Sequence, residues 1–414
     1  MNLSSYAMNL SSHEALLTVA PNEGDPLETI VRRGAKLLLQ SALEAEVTEY
    51  LERQKYARAA GSEELRGYRN GVGKERNLTV GSGTIQVQVP RVSDVPPGQE
   101  PFVSQVVKPY QRRSKSLDEV FPQLFLEGLA TRDFEPALRS LLGAKAPLSP
   151  STIVRVHQQF KGEYEDWTKS SVRGQAICYV WVDGIYVKAG IGTERACLLV
   201  VMGADSTGKK HLLGLSEGYR ESKESWLGLL RQLKARGLTE PALAIGAGAL
   251  GFWAAASELW RWTKQQRCWL HKIRNILDKL PKRERDTAAQ RVRAIYLAQH
   301  REEARRLTQV LAKEWKGLYD KAAECLLDDL ERMLTFYDFP EEHWRHVRTT
   351  NPIESPFAAI RLRTNAMKRL PTARSGVHLI FQLMKRQEQK WQRLSHPEKF
   401  REVKMPAYLA LQAA

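Results

Sequence analysis

The stretch ALAIGAGALGFW (residues 242–253) decides how the chain is read. Its first four residues pattern as a short buried strand, and Gly246-Ala247-Gly248-Ala249-Leu250-Gly251 formally matches G-x-G-x-x-G. Such a loop cradles a dinucleotide phosphate when it forms the first strand-to-helix turn of a βαβ unit. An acidic residue about 20 positions on then holds the ribose. Neither condition is met. Three strand candidates precede the loop, the downstream segment KQQRCWLH carries no acid, and bulky Phe252 and Trp253 follow the third glycine. No nucleotide cofactor is expected.

The three preceding candidates are AICYVWVDGIYVKA (176–189), RACLLVVMGAD (195–205) and KHLLGLSEG (210–218), the last two joined by the turn DSTGKK. A helix is predicted over 223–236, then the strand ALAIG, a helix over 252–262 and a short strand QRCWL (266–270). Three successive strands followed by helix, strand, helix, strand make a mixed sheet with helices packed on it. Residues 281–344 are highly charged, helical in pattern and without a strand candidate, which reads as a helical insertion. A last helix is predicted over 377–394, where Val377, Ile380, Met384, Gln387, Trp391 and Leu394 share a face.

Within the first strand stands Asp183, in VWVDGIYVK. A carboxylate buried in a sheet is costly unless it is paired or holds a cation. An Asp-Gly turn ending the strand is the alternative, but Ile185 and Tyr186 resume the apolar run. A ligand role toward a hard cation is favoured.

Upstream, residues 25–58 pattern as one amphipathic helix with Asp25 as N-cap and Pro26 at its first position. Residues 66–92 switch to period two at Thr84-Ile85-Gln86-Val87-Gln88-Val89, a short hairpin studded with Arg and Lys. Three helical pieces follow over 116–160. The last opens with Ser149 as N-cap, Pro150 and Ser151, and carries Thr152, Arg155 and His157. That is the grammar of a helix-turn-helix, with an ordinary helical bundle as the alternative. Residues 161–176 lose periodicity and read as a linker.

The chain has 414 residues and a formal net charge of +16, with a pI near 9.6. A basic excess of this size favours a polyanionic partner, nucleic acid before membrane. No apolar run approaches the about 20 residues that span a bilayer, and the N-terminus, where MNLSS occurs twice, lacks the plan of a signal peptide. Cys178, Cys197, Cys268 and Cys325 are too few for a disulfide scaffold. A cytoplasmic, nucleoid-associated protein is expected.

Several blocks in order, DGIYVK, GALGFW, QRCWLHKIRNILDKLP and TTNPIESPFAAIRLRTNAMKRLPTARS, resemble the transposases of Mutator-type bacterial insertion sequences, a branch of the DDE superfamily. The upstream pieces YRNG, VPRV and YQRRS resemble that family's N-terminal region, and the likeness spans roughly residues 25–395. It implies an RNase H-like catalytic domain, an α/β fold with helices on both faces of a mixed sheet and an all-α insertion. The first acidic position falls on Asp183 and the third on Glu354. The second, an Asp in the family pattern, falls on Ala247. The glycine loop is thus a carboxylate position with the carboxylate gone. Two Mg²⁺ or Mn²⁺ ions, about 3.5–4 Å apart, are implied for the intact site, and in this chain Asp183 and Glu354 remain as ligands. A single methyl amid intact flanking motifs reads as inactivation at one position. Of the possible substitutes, Asp205 lies in a turn, and Glu194 and Glu217 pattern as solvated.

Cys268 and His271 match the family's C-x-x-H signature. With no second pair, zinc is not expected, and both are assigned with Asn351 to support the site. DNA contacts are assigned to Arg66, Arg69, Arg91, Arg112, Arg113, Ser151, Thr152, Arg155, His157, Arg361, Arg363, Lys368, Arg369 and Arg374. The implied partners are double-stranded terminal inverted repeats and target DNA, bound by a homodimer. The predicted domains are a leader (1–24), a helix and basic hairpin (25–110), a helix-turn-helix-like unit (111–162) and a linker (163–176). The catalytic domain follows (177–281 and 346–400), split by the insertion (282–345), with a tail (401–414).

Overall fold

The computed structural model describes residues 25–55, 66–129, 133–143, 146, 150–190, 195–248, 250–367, 370 and 372–406. The leader, Ser149, Glu194, Lys368, Arg369 and most of the C-terminal tail lie outside the described residues. The chain divides into two compact units, Met1–Val156 and His157–Ala414. No helix among the described residues is long and apolar enough to cross a membrane.

In the first unit, helix α1 (Pro26–Leu51) starts as the sequence predicts: the Asp25 side chain accepts from the Leu27 amide at 3.0 Å, with Pro26 behind it. It ends before the predicted 58, because Glu52 takes the left-handed conformation and turns its amide back to the Thr48 and Glu49 carbonyls. Its second half packs, burying Leu43, Val47 and Leu51. Leu27, Val31 and Leu38 stay exposed. The predicted single hairpin is two small antiparallel sheets. Strand β1 (Tyr68–Val72) pairs with β4 (Pro90–Ser93), and β2 (Arg76–Val80) with β3 (Gly83–Val87). Along β3 the alternation sends Ile85 and Val87 inward, onto Leu43, Leu78 and Val107. Helices α2 (Lys115–Glu127) and α3 (Phe134–Leu142) follow, with Phe134 stacked on Phe121 and Phe125.

The next helix corrects the predicted linker. Helix α4 (Pro150–Lys169) runs through KGEYEDWTK, so only residues 170–176 connect it to the first strand of the second unit. Phe160, Tyr164 and Trp167 form an aromatic stripe at helical spacing that the intervening charges hide in the sequence. Tyr164 and Trp167 pack on Phe381 at 5.6 and 4.8 Å.

The second unit is built on a five-stranded sheet of order β7-β6-β5-β8-β9. Strands β5 (Ile177–Lys188), β6 (Arg195–Asp205) and β7 (Lys210–Gly218) run antiparallel. Strands β8 (Leu243–Gly246) and β9 (Lys264–Arg267) extend from β5 in parallel. On one face Val180, Val182, Leu199, Val201 and Leu213 meet α5 (Lys223–Ala235) and α6 (Leu250–Leu259) through Trp226, Leu230, Phe252 and Trp253. On the other, Tyr179 hydrogen-bonds His343 at 2.9 Å and Trp181 donates to the His346 carbonyl at 3.1 Å. These two histidines lie on the later helix Glu341–Val347.

The short strand predicted at 266–270 ends at Arg267. Cys268 is the extended N-cap of α7 (Trp269–Leu277), whose Trp269, Ile273 and Ile276 bury at helical spacing. Between Pro281 and Trp344 the chain holds helices only: α8 (Arg285–Tyr296), α9 (Arg301–Trp315), α10 (Asp320–Leu327), α11 (Leu330–Met333) and α12 (Glu341–Val347), with short 3₁₀ turns. Helix α13 (Asn351–Ala366) then packs on β5. The last helix, α14 (Ala373–Glu388), begins earlier than predicted, at a capping box between Thr372 and Ser375.

The third glycine of the opening loop has a packing reason. A Cβ on Gly251 would stand 2.1 Å from the Glu221 carbonyl oxygen and 2.8 Å from the Lys223 amide nitrogen. Gly228, exposed on α5, has no neighbour within 4 Å of its would-be Cβ. Gly251→Ala is therefore expected to cost about 1–3 kcal/mol and lower the thermal midpoint by several degrees. Gly228→Ala is expected to stabilise by up to about 1 kcal/mol. Denaturant melts of the two variants check both signs.

Candidate active site

Sheet register brings the first two positions together. Val182 of β5 pairs with Gly246 of β8, and Gly246 with Arg267 of β9. The residues one step further on, Asp183, Ala247 and Cys268, therefore stand level with one another, Asp183 within β5 and the other two just past the carboxyl ends of β8 and β9. The Cys268 amide continues that ladder, donating to the Gly246 carbonyl at 2.8 Å. Carboxyl ends of parallel strands are where open α/β sheets form their sites.

Asp183 is 8 % exposed. One oxygen accepts the Gly184 amide at 2.9 Å. Burial pushes its carboxyl up to about 7, helped by the negative charges of Glu221 and Glu354, while the Gly184 amide and Arg361 pull the other way. Ala247 is half-buried and brings no oxygen to this group. Gly248 follows at φ +108°, and a Cβ there would stand 2.7 Å from the Arg267 Nε.

Glu354 sits in the first turn of α13, where the helix dipole favours a negative charge. The Thr350 hydroxyl donates to its Oε1, and the His271 Nδ1 lies 3.6 Å from that same atom. Thr350 is fully buried. Its hydroxyl and amide reach the Cys268 sulfur at 3.1 and 3.2 Å, and its hydroxyl lies 3.4 Å from the His271 Nδ1. Donor atoms of Cys268, His271 and Glu354 all fall within 4.8 Å of one another, a spacing a transition metal could draw together. The Thr350 hydroxyl, however, touches all three and links them as a hydrogen-bond network. Burial lowers the His271 pKa, with Arg274 and Arg267 adding to it against Glu354, and burial raises that of the Cys268 thiol. Asn351, the exposed first residue of α13, lies beside this network in sequence.

Sequence reasoning missed two residues. Thr350 is one of two adjacent threonines before NPIES, and no pattern singles it out. Glu221 precedes the N-cap of α5, and its Oε1 accepts from the Tyr186 hydroxyl at 3.3 Å. The signal for it was Gly184, whose bare Cα leaves the room that the Glu221 side chain fills: a Cβ there would be 2.7 Å from Oε1. Asp205, weighed as a substitute carboxylate, stands at the opposite end of the β5–β6 pair, opposite Ile177, and is bound by His211 at 2.7 Å and Thr207. Glu217 is exposed on β7.

The basic residues sort by burial. Arg361 and Arg374 are exposed, and Arg361 is close enough to act on Asp183. Arg363 is buried at 6 % exposure, and His157 is half-buried. In the first unit Arg66, Arg91, Arg112 and Arg155 are exposed. Arg66 pairs with Glu52, Arg91 donates to the Val72 carbonyl, and Arg69 is held by Glu44 and Thr48. Arg113 and Thr152 turn inward: the guanidinium pairs with Asp118 at 2.9 Å and donates to the Thr152 hydroxyl at 2.9 Å. They hold α2 and α4 in place, which leaves neither facing solvent. Of Ser151, Lys368 and Arg369 no side chain is described.

The family model described as "Transposase, Mutator family" matches residues 9–394. Over 281 residues, the chain is 42 % identical to the transposase for insertion sequence element IS6120 of Mycolicibacterium smegmatis, covering 68 % of this chain and 87 % of that one. It is 43 % identical over 268 residues to the transposase for element IST2 of Acidithiobacillus ferrooxidans, covering 64 % and 90 %. Over 364 residues it is 27 % identical to the transposase for element ISRM5 of Rhizobium meliloti, covering 87 % and 88 %. With a match across nearly the whole chain and across both units, this protein belongs to the Mutator family of transposases.

Proposed function

We propose that the protein is a DDE transposase of RNase H-like fold that binds the terminal inverted repeats of its insertion sequence. It cleaves DNA and joins the freed end to a target, and in this chain Ala247 impairs the chemistry while leaving DNA binding intact. The observation that carries the reading is the buried carboxylate of Asp183 in the central strand, with Ala247 at the adjacent strand end and the Glu354 charge acting on it. The strand order, three antiparallel strands extended by two parallel ones, supports the RNase H-like assignment. The exposed Arg66, Arg91, Arg112, Arg155, Arg361 and Arg374 supply cations for phosphates. Two ends must be joined, so a homodimer on double-stranded DNA is the working assembly, on the bacterial nucleoid in the cytoplasm.

A divalent cation fits the donor set. Asp183 is ringed by carboxylates, and no lysine or arginine forms an ion pair with it among the described residues. Hard carboxylate oxygens suit Mg²⁺ or Mn²⁺, and Asp183 and Glu354 would hold it. When bound, such ions activate the attacking oxygen and stabilise the leaving one. The chain's own residues set that site up. Asp183 must release its proton to act as ligand, while Thr350 and His271 fix the direction of the Glu354 carboxylate. Arg361 stands ready for the phosphate. Cleavage uses water, and the freed 3′-hydroxyl then attacks a second phosphodiester. No covalent enzyme intermediate is needed. The Cys268 thiol is unsuited to form one, being buried and held above its usual range.

A second reading, a transposase-derived regulator that only occupies DNA ends, is favoured by Ala247 alone. The variant Ala247→Asp separates the two. It is expected to raise Mn²⁺-dependent nicking of plasmid DNA on the order of a hundredfold. Equal activity in both chains would refute the assignment of position 247.

The raised Asp183 carboxyl gives a second test. Its folded pKa, about 7, lies above its ordinary 3.8, so folding disfavours the ionised form. The penalty is absent below about pH 4, grows as pH rises, and is complete above about pH 7, on the order of 4 kcal/mol. In metal-free buffer, Asp183→Asn should therefore raise the melting midpoint, and the gain should widen from pH 4 to pH 8. A gain independent of pH in thermal melts would show that the carboxyl is not held in its neutral form.

A further inference from the structure

The turn between β7 and α5 carries a carboxylate that the family motif does not assign. Its backbone is pinned against the first turn of α6. The Glu221 carbonyl would stand 2.1 Å from a Cβ on Gly251, four residues after Ala247. The turn is also fixed from its own side. Ser222 caps α5 by accepting the Ser225 amide, and the Ser225 hydroxyl accepts the Tyr219 amide at 3.0 Å. From this anchored backbone the side chain reaches over β5. A Cβ on Gly184 would meet its Oε1 at 2.7 Å and its Cδ at 2.9 Å, so the carboxylate occupies the space that the missing side chain next to Asp183 vacates.

Among the described residues Glu221 forms no ion pair. Its hydrogen-bond partner is the Tyr186 hydroxyl at 3.3 Å, a long contact that leaves the second oxygen unengaged by Tyr186. Its neighbour Arg220 is exposed and lies over the Tyr219 ring at 5.9 Å, and Lys223, two residues on, pairs with Glu258 at 3.0 Å. A half-buried carboxylate kept from cations and set beside another carboxylate is destabilising on its own. A divalent ion shared between the two would repay that cost.

We propose that Glu221 is a further ligand of the divalent cation held by Asp183, reaching it from the β7–α5 turn beside the position of Ala247. The inference rests on the proposed metal-dependent reading of the site. It gives the cation a carboxylate from the β7–α5 turn, beyond Asp183 and Glu354, independent of whether residue 247 carries an oxygen. Gly184 is then a specificity element of the site, since any side chain there displaces the ligand.

The test is Mn²⁺ binding by the full chain, read from the electron paramagnetic resonance of free Mn²⁺ at pH 8 without DNA. Glu221→Gln and Asp183→Asn are each expected to weaken binding at least about tenfold. Gly184→Ala should do the same while leaving the metal-free melting midpoint near that of the parent, because the displaced atom is the far end of a flexible side chain. Tyr186→Phe should stay within about twofold. Should Glu221→Gln melt well below the parent, Gly184→Ala decides by the same criterion. Loss of binding in Asp183→Asn with parental affinity in Glu221→Gln and Gly184→Ala overturns the proposal and leaves the site reading standing. Absence of Mn²⁺ binding by the parent, or binding indifferent to Asp183, overturns the reading underneath and the proposal with it.

Discussion

The second unit depends on keeping one carboxylate inside a sheet. Asp183 lies in the longest and central strand, paired with Val200 of β6 on one side and one residue past the last pair with β8, Val182–Gly246, on the other. The end of β8 is where the chain concentrates its polar devices. Helices α6 and α7 both begin just past the ends of β8 and β9, and α13 begins with Glu354 in its first turn. The positive ends of helix dipoles favour negative charge within the first turn. A fold that ends parallel strands and starts helices at one place is suited to hold several acidic groups there.

The same place anchors the helical insertion. The Cys268 amide closes the β8–β9 ladder, and its sulfur is gripped by Thr350, which lies beyond the insertion in sequence. The next amide, that of Trp269, donates to the Arg348 carbonyl at 3.1 Å. The chain thus leaves and returns within a residue or two of the same point. Lys272, fully buried on α7, is bound by the backbone and side chain of Asp328 from within the insertion. Closing a long insertion between fixed, adjacent ends adds little entropy cost per residue. The C-x-x-H pair therefore ties Glu354 to the base of the insertion: His271 lies beside Glu354, and Cys268 touches Thr350, which donates to that carboxylate.

Much of this was legible in the sequence, for physical reasons that can be named. Strands β5 to β8 are buried on both faces and so appear as continuous apolar runs. The insertion announced itself through unbroken helical periodicity without a strand. The reading failed where burial came from aromatics spaced among charges, as with Phe160, Tyr164 and Trp167 in α4, and where an apolar triplet, Cys268-Trp269-Leu270, began a helix instead of continuing a strand. Arg113 looked like a surface cation because nothing local shows that Asp118 and Thr152 will enclose it. Glu221 was invisible for a related reason. Its significance lies in the empty Cα of Gly184, a contact across the sheet that no one-dimensional pattern encodes.

At position 247 the proposed chemistry and the stability of the metal-free fold pull in opposite directions. Asp183 already carries a penalty for its charge, arising from burial and from Glu221 and Glu354. A third neighbouring carboxylate at the end of the adjacent strand would add repulsion of the same sign and raise the cost of the metal-free fold. Alanine, half-buried and uncharged there, adds no such repulsion. On the proposed reading, alanine at 247 lets the protein fold at least as well as an aspartate would while withholding a ligand from the reaction. Like charges gathered in one site repel unless a cation neutralises them, so each carboxylate withdrawn favours the metal-free fold.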